Sequence, residues 1–196
     1  MSTETAFPPG RPLGPDFFAR SPDRVAPDLI GKVLWSPGVG GGRLTEVEAY
    51  LPMDDPASHA ARGPTRRNVA MYGRPGTIYV FLSYGVHYLL NLVTDREGVA
   101  SAVLIRAMEG LEDGRAGDGV SYCGPGRLGA ALGIRPELSG LPLGPESGVY
   151  VIDDGSRPRV GITTRVGITQ GAALPLRYYA SDSACVTRRS AIQGGT

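Results

Sequence analysis

The sequence has little of what a membrane or secreted protein needs. Among its 196 residues no apolar run approaches the roughly 18 needed to cross a bilayer. The start Met1-Ser2-Thr3-Glu4 lacks the basic flank of a signal peptide. Only two cysteines are present, Cys123 and Cys185, too few for a disulfide framework in so long a chain and suited to a reducing compartment. The expected location is intracellular. Lysine is almost absent: one of 20 basic side chains is Lys32 and the rest are Arg. Schiff-base chemistry would therefore have only Lys32 or the N-terminus to draw on. Histidine is limited to His59 and His87, and with the two cysteines these lack the close pairwise spacing of a zinc site. Neither a metal nor another cofactor is expected.

What the chain does have is glycine and proline, 46 residues of 196, which reads as a loop-rich globular protein of one domain. Residues 1 to 15 are Pro/Gly-rich and read as a poorly ordered tail, with the domain running from 16 to 196. The net charge of +1 decides nothing, but its distribution is uneven. From Pro56 to Thr94 there is no acid, while Arg62, Arg66, Arg67 and Arg74 are present. From Ser156 to Ser181 the same holds, with Arg157, Arg159, Arg165 and Arg177. Either these charges cluster by chance, or the folded chain shows a basic face to a polyanion and an acidic back.

A short helix is expected over Asp16 to Arg20. Gly31 to Trp35 and Arg43 to Tyr50 read as a hairpin joined through Ser36 to Gly42. That glycine cluster is no phosphate loop, because no Gly-Lys-Ser/Thr follows and the next element is a strand. Thr77–Leu82 and Val86–Val93 form a second hairpin around Tyr84-Gly85. Further strands are expected at Ala100 to Ala107 and Val149 to Ile152, and a helix at Gly126 to Leu132. The fold class is mixed α/β (α+β), with a mainly antiparallel curved sheet and a protruding hairpin. The doubled hexapeptide Arg159-Val160-Gly161-Ile162-Thr163-Thr164 and Arg165-Val166-Gly167-Ile168-Thr169-Gln170 is too short to be a structural repeat.

Two features carry chemistry. In Thr45-Glu46-Val47-Glu48-Ala49-Tyr50 the strand period puts Glu46, Glu48 and Tyr50 on one face, with the carboxylates roughly 7 Å apart. Burial and repulsion would separate their pKa values, as acid/base work requires. A solvent-facing edge or an ion pair with an arginine is the alternative. In the second hairpin, a two-residue turn would pair Ser83 with Val86, Leu82 with His87 and Phe81 with Tyr88, leaving Tyr84 at the tip. An aromatic there either packs on a neighbouring loop or serves as a wedge for a base stack.

These segments assemble into a known pattern. Glu46-Val47-Glu48-Ala49-Tyr50, His59, Arg67-Asn68, Met71-Tyr72 and Pro75 to Gly85 are followed by Asn91, Val103 to Ala107, Cys123 to Leu128, Arg165 to Ile168 and Pro175 to Tyr179. In this order, over about residues 24 to 187, the chain resembles the alkyladenine (3-methyladenine) DNA glycosylase family, whose fold is mixed α/β. The resemblance implies a monofunctional enzyme of base excision repair. It would flip alkylated purines such as 3-methyladenine and 7-methylguanine, with hypoxanthine or ethenoadenine as further candidates, out of double-stranded DNA. It would act as a monomer and without AP-lyase activity. It makes Glu48 the general base that activates water and Arg106 the group that helps hold that water and a nearby phosphate. Tyr50, His59 and Phe81 would surround the flipped base, and Asn91 would screen its edge. Tyr84 would be the wedge, with Met71, Arg67 and Arg127 as further DNA contacts. Phe81 stands where a tyrosine is common in the family, and Gly126 where a hydroxyl residue can meet phosphate.

Two rivals remain at this stage. Glu46 and Glu48 suit an inverting glycoside or nucleoside hydrolase, since their separation falls in the roughly 6.5–9.5 Å window. The acid-free arginine stretch counts against it. A nucleic-acid-binding module without catalysis is the other, and it has no use for Glu48, Asn91 and Arg106 together.

Overall fold

Alternating side chains along three long strands give the sheet two chemically different faces. In the computed structural model, which describes residues 7–52, 55–111 and 122–187, the strands are β1 (Arg11–Pro12), β2 (Val33–Ser36), β3 (Gly40–Tyr50), β4 (Ile78–Ser83), β5 (His87–Val93), β6 (Ala102–Gly110), β7 (Tyr150–Asp153), β8 (Val160–Thr163) and β9 (Arg177–Ala180). The helices are α1 (Pro15–Phe18), α2 (Pro22–Leu29) and α3 (Pro125–Ala131), with single 3-10 turns at His59–Arg62, Val69–Tyr72 and Pro136–Leu138. All pairings are antiparallel, in the order β1-β7-β2-β3-β6-β5-β4, with β9 also on β3 and β8 on β9. The mixed α/β class and the curled antiparallel sheet agree with the sequence reading.

One face of this sheet is apolar. Val47, Ala49, Ile78, Val80, Leu90, Leu92, Val103 and Ile105 join Val25 and Leu29 of α2 and Leu128 of α3 in the main core. Truncating one such side chain, for example Leu90→Ala, costs about 2–5 kcal/mol. The opposite face carries a row at one level across five strands: Tyr79 faces Asn91, Asn91 faces Leu104, Leu104 faces Glu48, and Glu48 faces Arg177. Paired residues in an antiparallel sheet project to the same side, so this row brings polar groups distant in sequence together. The β3–β6 register shifts on either side of the Glu46–Ala107 pair, where first Thr45 of β3 and then Arg106 of β6 drop out of the pairing.

The glycine cluster is explained by close strand approach. A Cβ on Gly41 would run into the Leu34 carbonyl, and one on Gly42 into that of Glu109. Helix α2 has no counterpart in the sequence reading, because Pro22 and Pro27 look like breakers. Pro22 in fact occupies the first turn, where no N–H is needed.

Several expectations are corrected. The start of the chain is not a loose tail from Arg11 onward: Arg11 and Pro12 pair with Asp153 and Ile152 of β7. Residues 1–6 lie outside the described residues. The second hairpin is shifted by one, pairing Ser83 with His87, Leu82 with Tyr88 and Phe81 with Leu89. Its loop is Tyr84-Gly85-Val86, with φ of +50° at Tyr84 and +71° at Gly85 and a Val86 N–H to Ser83 carbonyl bond. The reading assumed the shortest turn, whereas the chain adds one residue. Cys123 and Cys185 are joined as a disulfide across 62 residues, with Cα atoms 5.1 Å apart. Counting cysteines could not reveal that the fold brings the start of α3 beside the segment after β9. The second arginine stretch puts only Arg157 and Arg159 on the surface. Arg165 and Arg177 are internal ion-pair partners of Asp55 and Glu46, and Arg157 pairs with Asp153.

Candidate active site

Tyr79, Asn91 and Leu104 of this row line the bottom of a cavity of about 340 Å³. β4 and β5 contribute Tyr79, Phe81, Leu89 and Asn91, and β6 contributes Leu104 and Arg106. Tyr50, His59, Met71 and the loop Val166-Gly167-Ile168 complete the wall, and Tyr84 stands at its lip. The lining is mostly aromatic and apolar with a few fixed polar groups, the usual make-up of a site for a planar ligand.

Glu48 is fully buried behind this wall. Its Oε1 accepts the Val166 N–H at 2.8 Å and lies 3.2 Å from Arg106 Nη1, and its Oε2 accepts the Tyr50 hydroxyl at 3.0 Å. The three groups that hold the carboxylate all line the cavity. Burial is the dominant influence on Glu48 and pushes its pKa up, against the opposing pull of Arg106, the Val166 N–H and the Tyr50 hydroxyl. Tyr50 is itself pushed up, by burial and then by the Glu48 charge, so it stays a protonated donor. The result is a fixed carboxylate more basic than a solvated one, at the edge of a space that admits water.

Glu46, two residues away on the same face, has a different fate. Its Oε1 takes Arg106 Nε at 3.1 Å and Arg177 Nη1 at 3.0 Å, while Oε2 accepts the Thr187 N–H at 2.6 Å. It is as fully buried as Glu48, but of its three partners only Arg106 lines the cavity. Glu46 thus anchors the arginine that reaches Glu48. This leaves the two carboxylates unlike the flanking pair of an inverting hydrolase, which must both reach a sugar.

The aromatic wall is ordered by mutual contacts. His59 meets Phe81 edge-on with ring centroids 4.5 Å apart, and its Nδ1 shares a 2.9 Å hydrogen bond with the Tyr79 hydroxyl. Partial burial lowers the His59 pKa and raises that of Tyr79 to about 12, so both are neutral. Asn91 donates to the Tyr79 and Leu89 carbonyls at 3.2 and 3.4 Å, which fixes its amide plane. At the lip, Tyr84 is 90% exposed and Val86 70%.

Seven of the expected site residues therefore meet at one cavity: Tyr50, His59, Met71, Phe81, Tyr84, Asn91 and Arg106, with Glu48 directly behind. Met71, expected as a DNA contact, lines the cavity and is buried in a small apolar cluster with Tyr79 and Val93. Arg67 and Arg127 are exposed and lie outside the cavity wall. Gly126 packs against His87, whose ring fills the place of a side chain: a Cβ there would be 2.7 Å from the imidazole. The sequence reading passed over Tyr79, although Tyr79, Phe81 and Ser83 share one face by strand alternation and all line the cavity. It also gave no role to Asp55, Thr187 or the Val166 amide, which act through tertiary contacts without a local signal.

The sequence profile of the methylpurine-DNA glycosylase family matches residues 16–184. A protein of Rhizobium meliloti provisionally named 3-methyladenine DNA glycosylase is 47% identical over 182 residues, 89% of this chain and 95% of its own. Similarly named proteins of Rhodopseudomonas palustris and Rubrobacter xylanophilus are 44% and 48% identical, over 91% and 77% of this chain and 93% and 84% of theirs. With a match that takes in most of its length and every element that builds the cavity wall, this chain belongs to the methylpurine-DNA glycosylase family.

Proposed function

We propose that the protein is a monofunctional DNA glycosylase. It extrudes alkylated purines, 3-methyladenine and 7-methylguanine first among them and hypoxanthine or ethenoadenine as further substrates, from duplex DNA and hydrolyses the N-glycosidic bond. The observation that carries this reading is the buried, triply held Glu48 directly behind an aromatic cavity with an exposed tyrosine at its lip. A base inside a duplex is out of reach, so it must be turned out at a cost of a few kcal/mol. Tyr84 fills the gap it leaves, and Phe81, His59 and Tyr50 receive it. Stacking on an aromatic is worth about 1–3 kcal/mol per base and favours any π-face, the electron-poor alkylated purines in particular. Asn91, its amide fixed by two carbonyls, screens the purine edge.

The alkylated purine is already a good leaving group. What remains for the protein is to deliver water to C1′ and to stabilise a sugar with oxocarbenium character. Glu48 takes the water's proton and places a negative charge beside that sugar, while Arg106 holds the carboxylate from the cavity side. Arg67 and Arg127, exposed and outside the wall, contact the DNA backbone. The chromosome as substrate places the enzyme inside the cell, and the chain acts as a monomer. No metal enters the reaction.

The test is release of free methylated purine from alkylated duplex DNA in EDTA, with the strand left uncut. No release, or release that EDTA abolishes, overturns the reading. Borohydride should trap no enzyme–DNA adduct through Lys32, which is buried beside Asp153, 3.2 Å away, rather than at the cavity. An adduct lost on Lys32→Ala would make the enzyme a lyase as well.

A further inference from the structure

The strongest unexplained feature beside the site is a second buried ion pair. Arg165 and Asp55 have side chains closed to solvent and meet through two bonds of 2.6 Å, Nη1 to Oδ2 and Nη2 to Oδ1. Burying such a pair brings little stability over apolar packing of the same volume, so its placement calls for another account. Its contacts supply one. Arg165 Nη1 also donates to the Ala49 carbonyl, and the guanidinium lies over the Tyr50 ring, 4.7 Å from its centroid. The next residue is Val166, whose N–H is bound to Glu48. Asp55 meanwhile accepts the Leu51 and Ala57 N–H groups, and Ala57 lines the cavity two residues before His59.

We infer that Arg165, locked by Asp55, is the positioning residue for Glu48: it holds the Tyr50 hydroxyl and the Val166 amide on the carboxylate and adds a positive charge that keeps it ionised. This rests on the reading of Glu48 as the base. The fork matters because two planar donors fix the guanidinium's rotation, and with it the ring it covers and the backbone that follows it. The charge matters because Glu48 loses hydration and must be stabilised by its neighbours. Those facing it are Arg106 from β6, Arg177 from β9, Arg165 from the loop before β9, Tyr50 beside it on β3, and Glu46 acting against it on the same strand.

Two variants separate fork from charge. Asp55→Asn combined with Arg165→Met removes both charges and leaves an amide to accept the Leu51 N–H; Arg165→Lys keeps the charge and loses the fork. The carbon-13 signal of the Glu48 carboxyl is titrated in each folded protein, single-turnover purine release is followed across pH, and binding to abasic-site duplex is measured alongside. In the double variant the Tyr50 hydroxyl and the Val166 N–H lose their support, and because both hold the Glu48 pKa down, Glu48 should titrate about one unit higher and the acid limb of the rate profile should move up with it. In Arg165→Lys the titration should stay near wild type while release slows about tenfold or more through misplacement. Abasic-DNA binding should change less than threefold in both, roughly. A folded double variant with the wild-type titration overturns the inference, as does Arg165→Lys at the wild-type rate should the double variant not fold. Wild type that releases no purine sinks the glycosylase reading instead, and the titration still decides this one.

Discussion

The bottom of the cavity and the tip of the β4–β5 hairpin are built on opposite principles. At the bottom, Glu48 and Glu46 have three partners each and Arg165 makes three hydrogen bonds, two to Asp55 and one to the Ala49 carbonyl, and all three side chains are closed to solvent. At the tip, Tyr84 is 90% exposed and sits on backbone with left-handed φ, flanked by exposed Leu82 and Val86. A carboxylate that must present one oxygen to one water needs its position fixed before the substrate arrives. A ring that must enter another molecule's base stack has to be free of its own core. On the proposed reading the same sheet serves both, by running β4 and β5 beyond the packed region.

The comparison predicts that the two regions fail in different ways. Glu48→Gln should lower purine release by about 10²–10⁴ and leave binding to abasic-site DNA intact or tighter. Single-turnover release with a binding titration checks this, and near-normal turnover removes Glu48 from the mechanism. Glu46→Gln should act on the fold first. It takes the counter-charge from Arg106 and Arg177, both buried, at a cost of about 3–5 kcal/mol, read as a lower Tm. Below that Tm its release should fall less than that of Glu48→Gln. An equal fall in rate with an unchanged Tm would restore Glu46 to the chemistry.

Tyr84→Ala probes the tip. Removing the ring takes about 1–3 kcal/mol from the flipped state, so release from a well-stacked pair should fall about tenfold or more, and release opposite a mismatch less. Thermal stability should stay within about 1 kcal/mol of wild type, because the ring buries almost nothing. If both rates are unchanged, or if the protein melts, the tip is not a separate functional region.

How much of this was legible in the sequence follows the same division. The tip is local: two strands and a glycine suffice to project Tyr84, and a register one residue off left it at the end of the hairpin. The alternation of Glu46, Glu48 and Tyr50 was likewise readable, and all three turn to the same side. What separates the two carboxylates was not readable, because it comes from Arg177, Thr187 and Val166, more than 110 residues away. The doubled hexapeptide makes the point most sharply. Val160–Thr163 in the first copy is a strand against β9, whereas in the second Arg165 is drawn inward by Asp55 and its Val166 turns an N–H to Glu48. Nearly identical local sequences take different structures because different partners await them.

The smallest expected effect tests the bottom of the cavity against itself. Burial raises the pKa of Glu48 above its ordinary 4.5, so the fold prefers the neutral acid. Below that value both folded and unfolded chains hold the proton, and the preference is fully present. As pH rises the unfolded chain releases its proton first, so the stability drawn from Glu48 declines until the folded group has titrated, and is level beyond. Glu48→Gln cannot ionise. Its Tm relative to wild type should therefore rise as pH increases from about 4.5 through the raised value and then stay constant, while Tyr84→Ala shows no such trend. Paired melts across that range decide it. A difference that runs the other way would mean that Arg106, Tyr50 and the Val166 amide outweigh burial. Glu48 would then be a satisfied structural anchor of the kind Glu46 is, and its fixed position would serve the fold before the chemistry.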